Sequence, residues 1–267
     1  MNYYPGITIA YHNDGSIYYR ASVTHNRKHI SLGSYPTPET GSQAYEEART
    51  ILADPSISVS HYNSTMALSF SKFISLINLR CNGIYIKTPI FLYPDYFLNY
   101  LEPDLALKFD RDDLFFYSSH TIQQRGGYRF VCHYGSQYGI LSRYGIRQFA
   151  VAGRDYIFVN GDDTDYRYQN IKVLNHYMGV TLQQKQGRAC YQAAIHIQGN
   201  YIIGRYPDEI RAAIAYNKAA DIVARNGIDK HFIRNYISEL SSEEYHQIYH
   251  ELDRKSTRLN SSHSQQS

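Results

Sequence analysis

The chain has 267 residues, 43% hydrophobic, with 27 Lys+Arg against 24 Asp+Glu and a formal net charge of +3. That length allows two or three small domains, and so mild a charge balance neither supports nor excludes nucleic acid, because a small basic face can sit on a near-neutral protein. The three cysteines, Cys81, Cys132 and Cys190, are isolated and odd in number, which argues against a disulfide framework or a zinc site and fits a reducing cytoplasm. No signal peptide is expected from Met1-Asn2-Tyr3-Tyr4, and the longest apolar stretch, 66–79, is interrupted by Ser69, Ser71, Lys72, Ser75 and Asn78, so no membrane partner is expected.

In chain order, strands are expected at about 5–11, 17–24 and 28–33. Tyr19, Ala21 and Val23 alternate with Arg20, Ser22 and Thr24, the period of a strand with one buried face. Asn13-Asp14-Gly15 and His25-Asn26-Arg27 are turn-like. Thr37-Pro38-Glu39 supplies an N-cap, a proline at the first helical position and an acidic first turn, predicting a helix to about Ala53. Its Ala44, Tyr45, Ala48, Ile51 and Leu52 share one side. Residues 62–112 read as a linker or small packing segment, with helical spacing at Phe70, Phe73, Ile74 and Ile77, a strand-like 88–93 and a short helix near 95–101. From Phe115 to Asn175 the pattern is β-rich, with strands expected at 128–134, 138–144, 148–151 and 156–159. A helix over 208–225 presents Ala212, Tyr216, Ala219, Ala220 and Val223 and ends before Gly227 at C′. Ser241-Ser242-Glu243-Glu244 is a capping box for a helix with Tyr245, Ile248, Tyr249 and Leu252 along one face.

Residues 6–52 and 179–223 share one pattern. Gly6, Tyr19, Ala21, Val23, Gly33, Tyr35, Tyr45 and Ala48 answer to Gly179, Tyr191, Ala193, Ile195, Gly204, Tyr206, Tyr216 and Ala219. The step from Gly33 to Tyr45 equals that from Gly204 to Tyr216, so two copies of one three-stranded sheet with one helix are expected. The fold class is accordingly α+β: two small antiparallel sheet-plus-helix domains, 1–61 and 176–238, flanking a β-rich segment, 113–175. A sheet covered by one helix leaves its other face free for binding.

The repeated unit resembles the APETALA2/ethylene-response-factor DNA-binding domain, and His231-Phe232-Ile233 to Asn235-Tyr236 looks like that family's closing element in altered form. The resemblance implies double-stranded DNA as partner, bound in the major groove by the free sheet face. Strand parity then names the candidate contacts. In the first copy they are Thr8, Arg20, Ser22, Thr24 and His29, with Ala10 and Ser31 beside them and Lys28 as a further contact. In the second they are Thr181, Gln183, Gln192, His196 and Asn200, with Ala194 and Ile202 beside them and Lys185 and Arg188 in the adjoining turn. The chain has no Trp, and Arg20 is the cation expected on the central strands, so modest, salt-sensitive binding per copy is expected, strengthened by linkage of the two.

Asn160, Gly161, Asp162, Asp165, Arg167 and Asn170 hold the relative spacing of the HNH homing-endonuclease core, which segment 113–175 resembles. Phage enzymes of that kind often place an APETALA2-like domain after the nuclease, the order found here. The HNH reaction needs a histidine general base beside a divalent metal. Phe158 stands where that base would fall, and Ser142-Arg143 where an earlier His-Arg pair would. No catalytic residue, metal ligand or cofactor is therefore assigned. Asn160-Gly161 is expected as a turn, Asp162, Asp165 and Asn170 as caps of a short helix, and Arg143 and Arg167 on phosphates. The expected function is non-catalytic DNA binding, with transcription regulation as one role. A homing-type nuclease with a displaced histidine (His120 or His133) and a protein-interaction module are the alternatives.

Residues 239–252 are expected to form a C-terminal helix cut short. The stretch 253–267 resembles a sequencing adapter read through in frame, with disorder expected. Without its three cations and one aspartate the net charge falls from +3 to about +1.

Overall fold

A computed structural model describes residues 4–148, 150–185, 187–228 and 230–252, so the expectation for 253–267 lies outside the described residues. The chain divides into two units, Met1–Ile140 with Asp162–Asn170, and Leu141–Gly161 with Ile171–Ser267. Five small sheets and the helices between them make the α+β class expected.

In the first unit, the alternation of apolar and polar residues yields β1 (Ile7–Tyr11), β2 (Ile17–His25) and β3 (Lys28–Tyr35), an antiparallel sheet in the order β1-β2-β3. Helix α1 (Pro38–Ala53) follows, capped by the Thr37 side chain, which accepts from the Thr40 amide. Ala44 and Ala48 are fully buried with Ala21, so the absence of bulk on both sides lets helix and sheet meet closely. Residues 62–112 are folded onto this unit rather than extended. Helix α2 (Phe70–Asn82) packs beside α1, and its Arg80 donates to the carbonyls of Ile51, Asp54 and Ile57, satisfying the C-terminal end of α1. Glu47 of α1 returns the link by accepting from the amides of Ala67 and Leu68.

Strands β4 (Ile90–Leu92), β5 (Tyr96–Glu102) and β6 (Leu105–Asp110) form the next sheet. The helix expected near 95–101 is therefore a strand. Phe97 and Asn99 are buried while Tyr96, Leu98 and Tyr100 are partly exposed, an alternation with period two. After the one-turn α3 (Leu114–Tyr117) come β7 (Ile122–Arg125), β8 (Tyr128–His133) and β9 (Ser136–Gly139), a third sheet. The strand expected over 138–144 ends at Gly139 and continues as the 3₁₀ turn Ile140–Tyr144, and the described residues of 148–151 are not in a strand. Segment 162–170 joins β6 through Lys108, whose amide donates to the Thr164 carbonyl and whose carbonyl accepts from Tyr166.

The second unit holds the pair β10 (Tyr156–Phe158) and β11 (Ile171–Val173), then the sheet β12 (Val180–Lys185), β13 (Arg188–His196) and β14 (Asn200–Tyr206). Helix α4 (Glu209–Arg225) covers one face of that sheet, N-capped by Asp208, with Gly227 just beyond its end at φ +80°. Helix α5 (Ser242–Glu251) opens on the expected capping box and packs Tyr245, Ile248 and Tyr249 against the core of α4. Asn235, in the closing element, accepts from the Met178 amide and donates to the Met178 carbonyl, fixing the entry to β12. No helix among the described residues is long and apolar enough to cross a membrane.

Candidate nucleic-acid interface

The two sheet-and-helix units correspond residue by residue. Gly6 and Gly179 both have φ +72°, a left-handed value that favours glycine. A Cβ would lie 2.3 Å from the Tyr45 ring at Gly6 and 2.2 Å from the Tyr216 ring at Gly179. Their carbonyls accept from the matching amides of Ser22 and Ala194. The repeated Gly and Tyr are thus one structural device used twice, a helix aromatic seated on a glycine at the sheet's end.

Each sheet also carries a register shift at the same place, between Ala21 and Ser22 and between Ala193 and Ala194. Leu32 and Ile203 are the extra residues, immediately before Gly33 and Gly204. The bulge reverses parity for the end of the third strand. Tyr35 and Tyr206 turn toward the helix, and Ser34 and Arg205 turn outward, opposite Arg20 and Gln192. Arg205 is exposed and was missed by simple alternation; a glycine inside a strand is the signal that could have revealed it.

On the first sheet the outward residues Thr8, Arg20, Thr24 and His29 are exposed and Ser22 is half-buried. Arg20 donates to the Tyr18 hydroxyl at 2.6 Å. Lys28 is not on this face: it shares parity with the buried Ile30 and Leu32, and its ammonium lies 5.3 Å from the Tyr85 ring centre on the helix side. On the second sheet Thr181, Gln183, Gln192, His196 and Asn200 share the outer face, with His196 and Asn200 joined by a 2.9 Å hydrogen bond. Arg188 belongs to β13 rather than to the turn and is exposed on the same face. Lys185 pairs with Arg188 in the register. None of the six strands of the two sheets contains Asp or Glu; the acidic residues of both units fall outside them, several on α1 and α4.

The outer face of the second sheet is edged by segments from outside the repeat. A cleft of about 730 Å³ runs from Arg147 and Arg154 across Thr181, Gln192 and His196 to Lys230. A buried network holds the first side: Asp155, with a side chain 0% exposed, accepts from Arg147 at 2.7 Å, Arg154 at 2.7 Å and the Val151 amide. Burial pushes the Asp155 carboxyl up, but the Arg154 hydrogen bond, the Val151 amide and the two guanidinium charges outweigh it and hold it below the ordinary carboxylate value. Asn175 ties this loop to β12, donating to the Arg154 carbonyl and Asp155 and accepting from the Leu182 amide. On the other side the Lys230 ammonium donates to the His196 and Ile197 carbonyls.

The residues singled out between 142 and 170 are arranged differently. Phe158 lies in β10, next to its ladder partner Ile171. Asp165 is buried and binds Arg167 through two hydrogen bonds of 2.9 and 2.6 Å, which engages the guanidinium assigned to phosphate. Asp162 accepts from the Thr164 amide, and Asn170 donates to the Asp162 and Asp165 carbonyls. These residues tie turns, and the start of the short helix, Tyr168, is capped by Asp110 from far upstream in the sequence. Arg143 is exposed in the 3₁₀ turn. His120 and His133 meet at 2.7 Å between Nε2 and Nδ1, with His120 Nδ1 also 2.9 Å from the Phe116 carbonyl. Among the described residues no group of three or more His, Cys, Asp or Glu is placed to hold a metal.

Fold and surface together describe an α+β protein with two like modules, each presenting a polar, acid-free sheet face. No protein-family model, curated protein or solved structure matches the chain.

Proposed function

We propose that the chain binds double-stranded DNA through the outer faces of its two repeated sheets, without catalysing a reaction on it. The observation that carries this reading is the absence of carboxylates from the strands of both sheets. Their outer faces display Arg, His, Gln, Asn, Ser and Thr, side chains that pair with phosphates and base edges. The carboxylates sit on the helices instead: Glu39, Glu46 and Glu47 beside Arg49 on α1, and Glu209 and Asp221 among Arg211, Lys218 and Arg225 on α4. A sheet face without carboxylates can meet a polyanion even when the whole chain is near neutral. Transcription regulation is the role that such binding would serve.

A titration of random-sequence duplex at low salt tests the reading. Retention that weakens steeply with added salt supports it, and no retention by the full chain overturns it. The close His120–His133 pair keeps a nuclease as the second reading. Nicking of supercoiled plasmid with magnesium or manganese, lost in His133→Ala, would favour that reading instead.

A further inference from the structure

The two sheets are unequal. On the first, Arg20 is the arginine of the outer face and its guanidinium is engaged by Tyr18. On the second, Arg188 and Arg205 both face outward. Two more cations, Arg154 and Lys230, come from segments that the repeat does not include. The carboxylate beside Arg154 is not its alone: Asp155 is shared with Arg147, so two guanidiniums face one buried carboxylate. Arg154 keeps about half its side chain exposed at 52% while Asp155 is enclosed, so the cation and not the anion reaches solvent.

We propose that the cleft on the second sheet is a seat for the sugar-phosphate backbone of duplex DNA. Arg154 and Lys230 grip phosphates at its two sides while the Thr181–Gln192–Arg205 row faces the groove. The proposal rests on the DNA-binding reading and deepens it: the second module supplies most of the affinity, and the first is an auxiliary contact. The supporting arrangement is built rather than incidental. Asn175 fastens the loop bearing Arg154 to β12, and the Lys230 ammonium is held by two carbonyls at the end of β13, so both cations are positioned before any ligand arrives. Charge complementarity selects the occupant, since the described side chains of the sheet strands include Arg188, His196 and Arg205 and no acidic one.

The test is fluorescence anisotropy of the full chain with a labelled random duplex of about 20 bp across a salt series, with circular dichroism to confirm folding of each variant. Lys230→Gln and Arg205→Gln should each weaken binding about fivefold or more and lower the slope of log affinity against log salt by about one. Arg154→Gln should do the same while Arg154→Lys stays near wild type. Arg20→Gln should cost less than any of the three. Wild-type affinity and slope in Lys230→Gln and Arg154→Gln, with the loss falling on Arg20→Gln, overturns the proposal and leaves DNA binding standing. Failure of the wild-type chain to bind duplex overturns both, and preference for duplex RNA over DNA in competition overturns the assigned occupant.

Discussion

Gly6 and Gly179 show how a single residue type can be read from the sequence while its reason cannot. Their repetition is visible, but the need for glycine comes from a positive φ and from the tyrosine ring pressed onto the Cα. Gly6→Ala and Gly179→Ala should each destabilise by about 1–3 kcal/mol in urea unfolding, because the added methyl meets both ring and carbonyl oxygen. Asp155 is a second case. Its fully enclosed carboxylate holds two arginines and a backbone amide, a set drawn from the 147–155 loop. Asp155→Ala should cost about 3–5 kcal/mol by leaving the half-buried Arg147 unpaired. The pH dependence has a definite sign. The folded-state value is depressed, so the stabilisation is complete above the ordinary aspartate value of about 3.9 and is lost as pH falls through the lower folded value. Asp165, depressed by Arg167 against the cost of burial, acts over the same acid window. An acid titration of stability should flatten in Asp155→Asn relative to wild type.

At the scale of elements, alternation and capping were legible. The first repeated sheet, α1, α4 and α5 lie within a few residues of their expected bounds because each rests on local signals: period two, Thr37-Pro38, Asp208 and Ser241 with Glu244. What failed was parity beyond a bulge and helix-or-strand choice in a short apolar run. Residues 95–101 hold Tyr96, Phe97, Leu98, Tyr100 and Leu101 in a short run, so only their pairing with β4 and β6 decides that they are extended. Lys28 was named as a contact although it shares parity with the buried Ile30 and Leu32, and its ammonium lies by Tyr85, distant in sequence. Helix α5 is held by packing on α4 and by Lys218, whose ammonium donates to the Tyr249 carbonyl. Ending the chain at Leu240 should therefore lower the melting temperature of the second unit and expose apolar surface, read as dye binding, while the first unit melts unchanged.

At the scale of the whole molecule, two modules on one chain predict a length effect. A duplex long enough to meet both sheets should bind more tightly than one of about 10 bp, and the difference should shrink in Arg20→Gln, which weakens the auxiliary contact. Equal affinity for long and short duplexes would mean that one module acts alone. The sequence by itself determined the duplication and the α+β class, because these depend on residue identity and spacing along the chain. Only the tertiary structure decided which side chains reach the surface together. The bulge that turns Arg205 outward, the loop that brings Arg154 beside β12 and the Asp165 pairing that engages Arg167 all join residues whose proximity depends on register and packing rather than on local pattern.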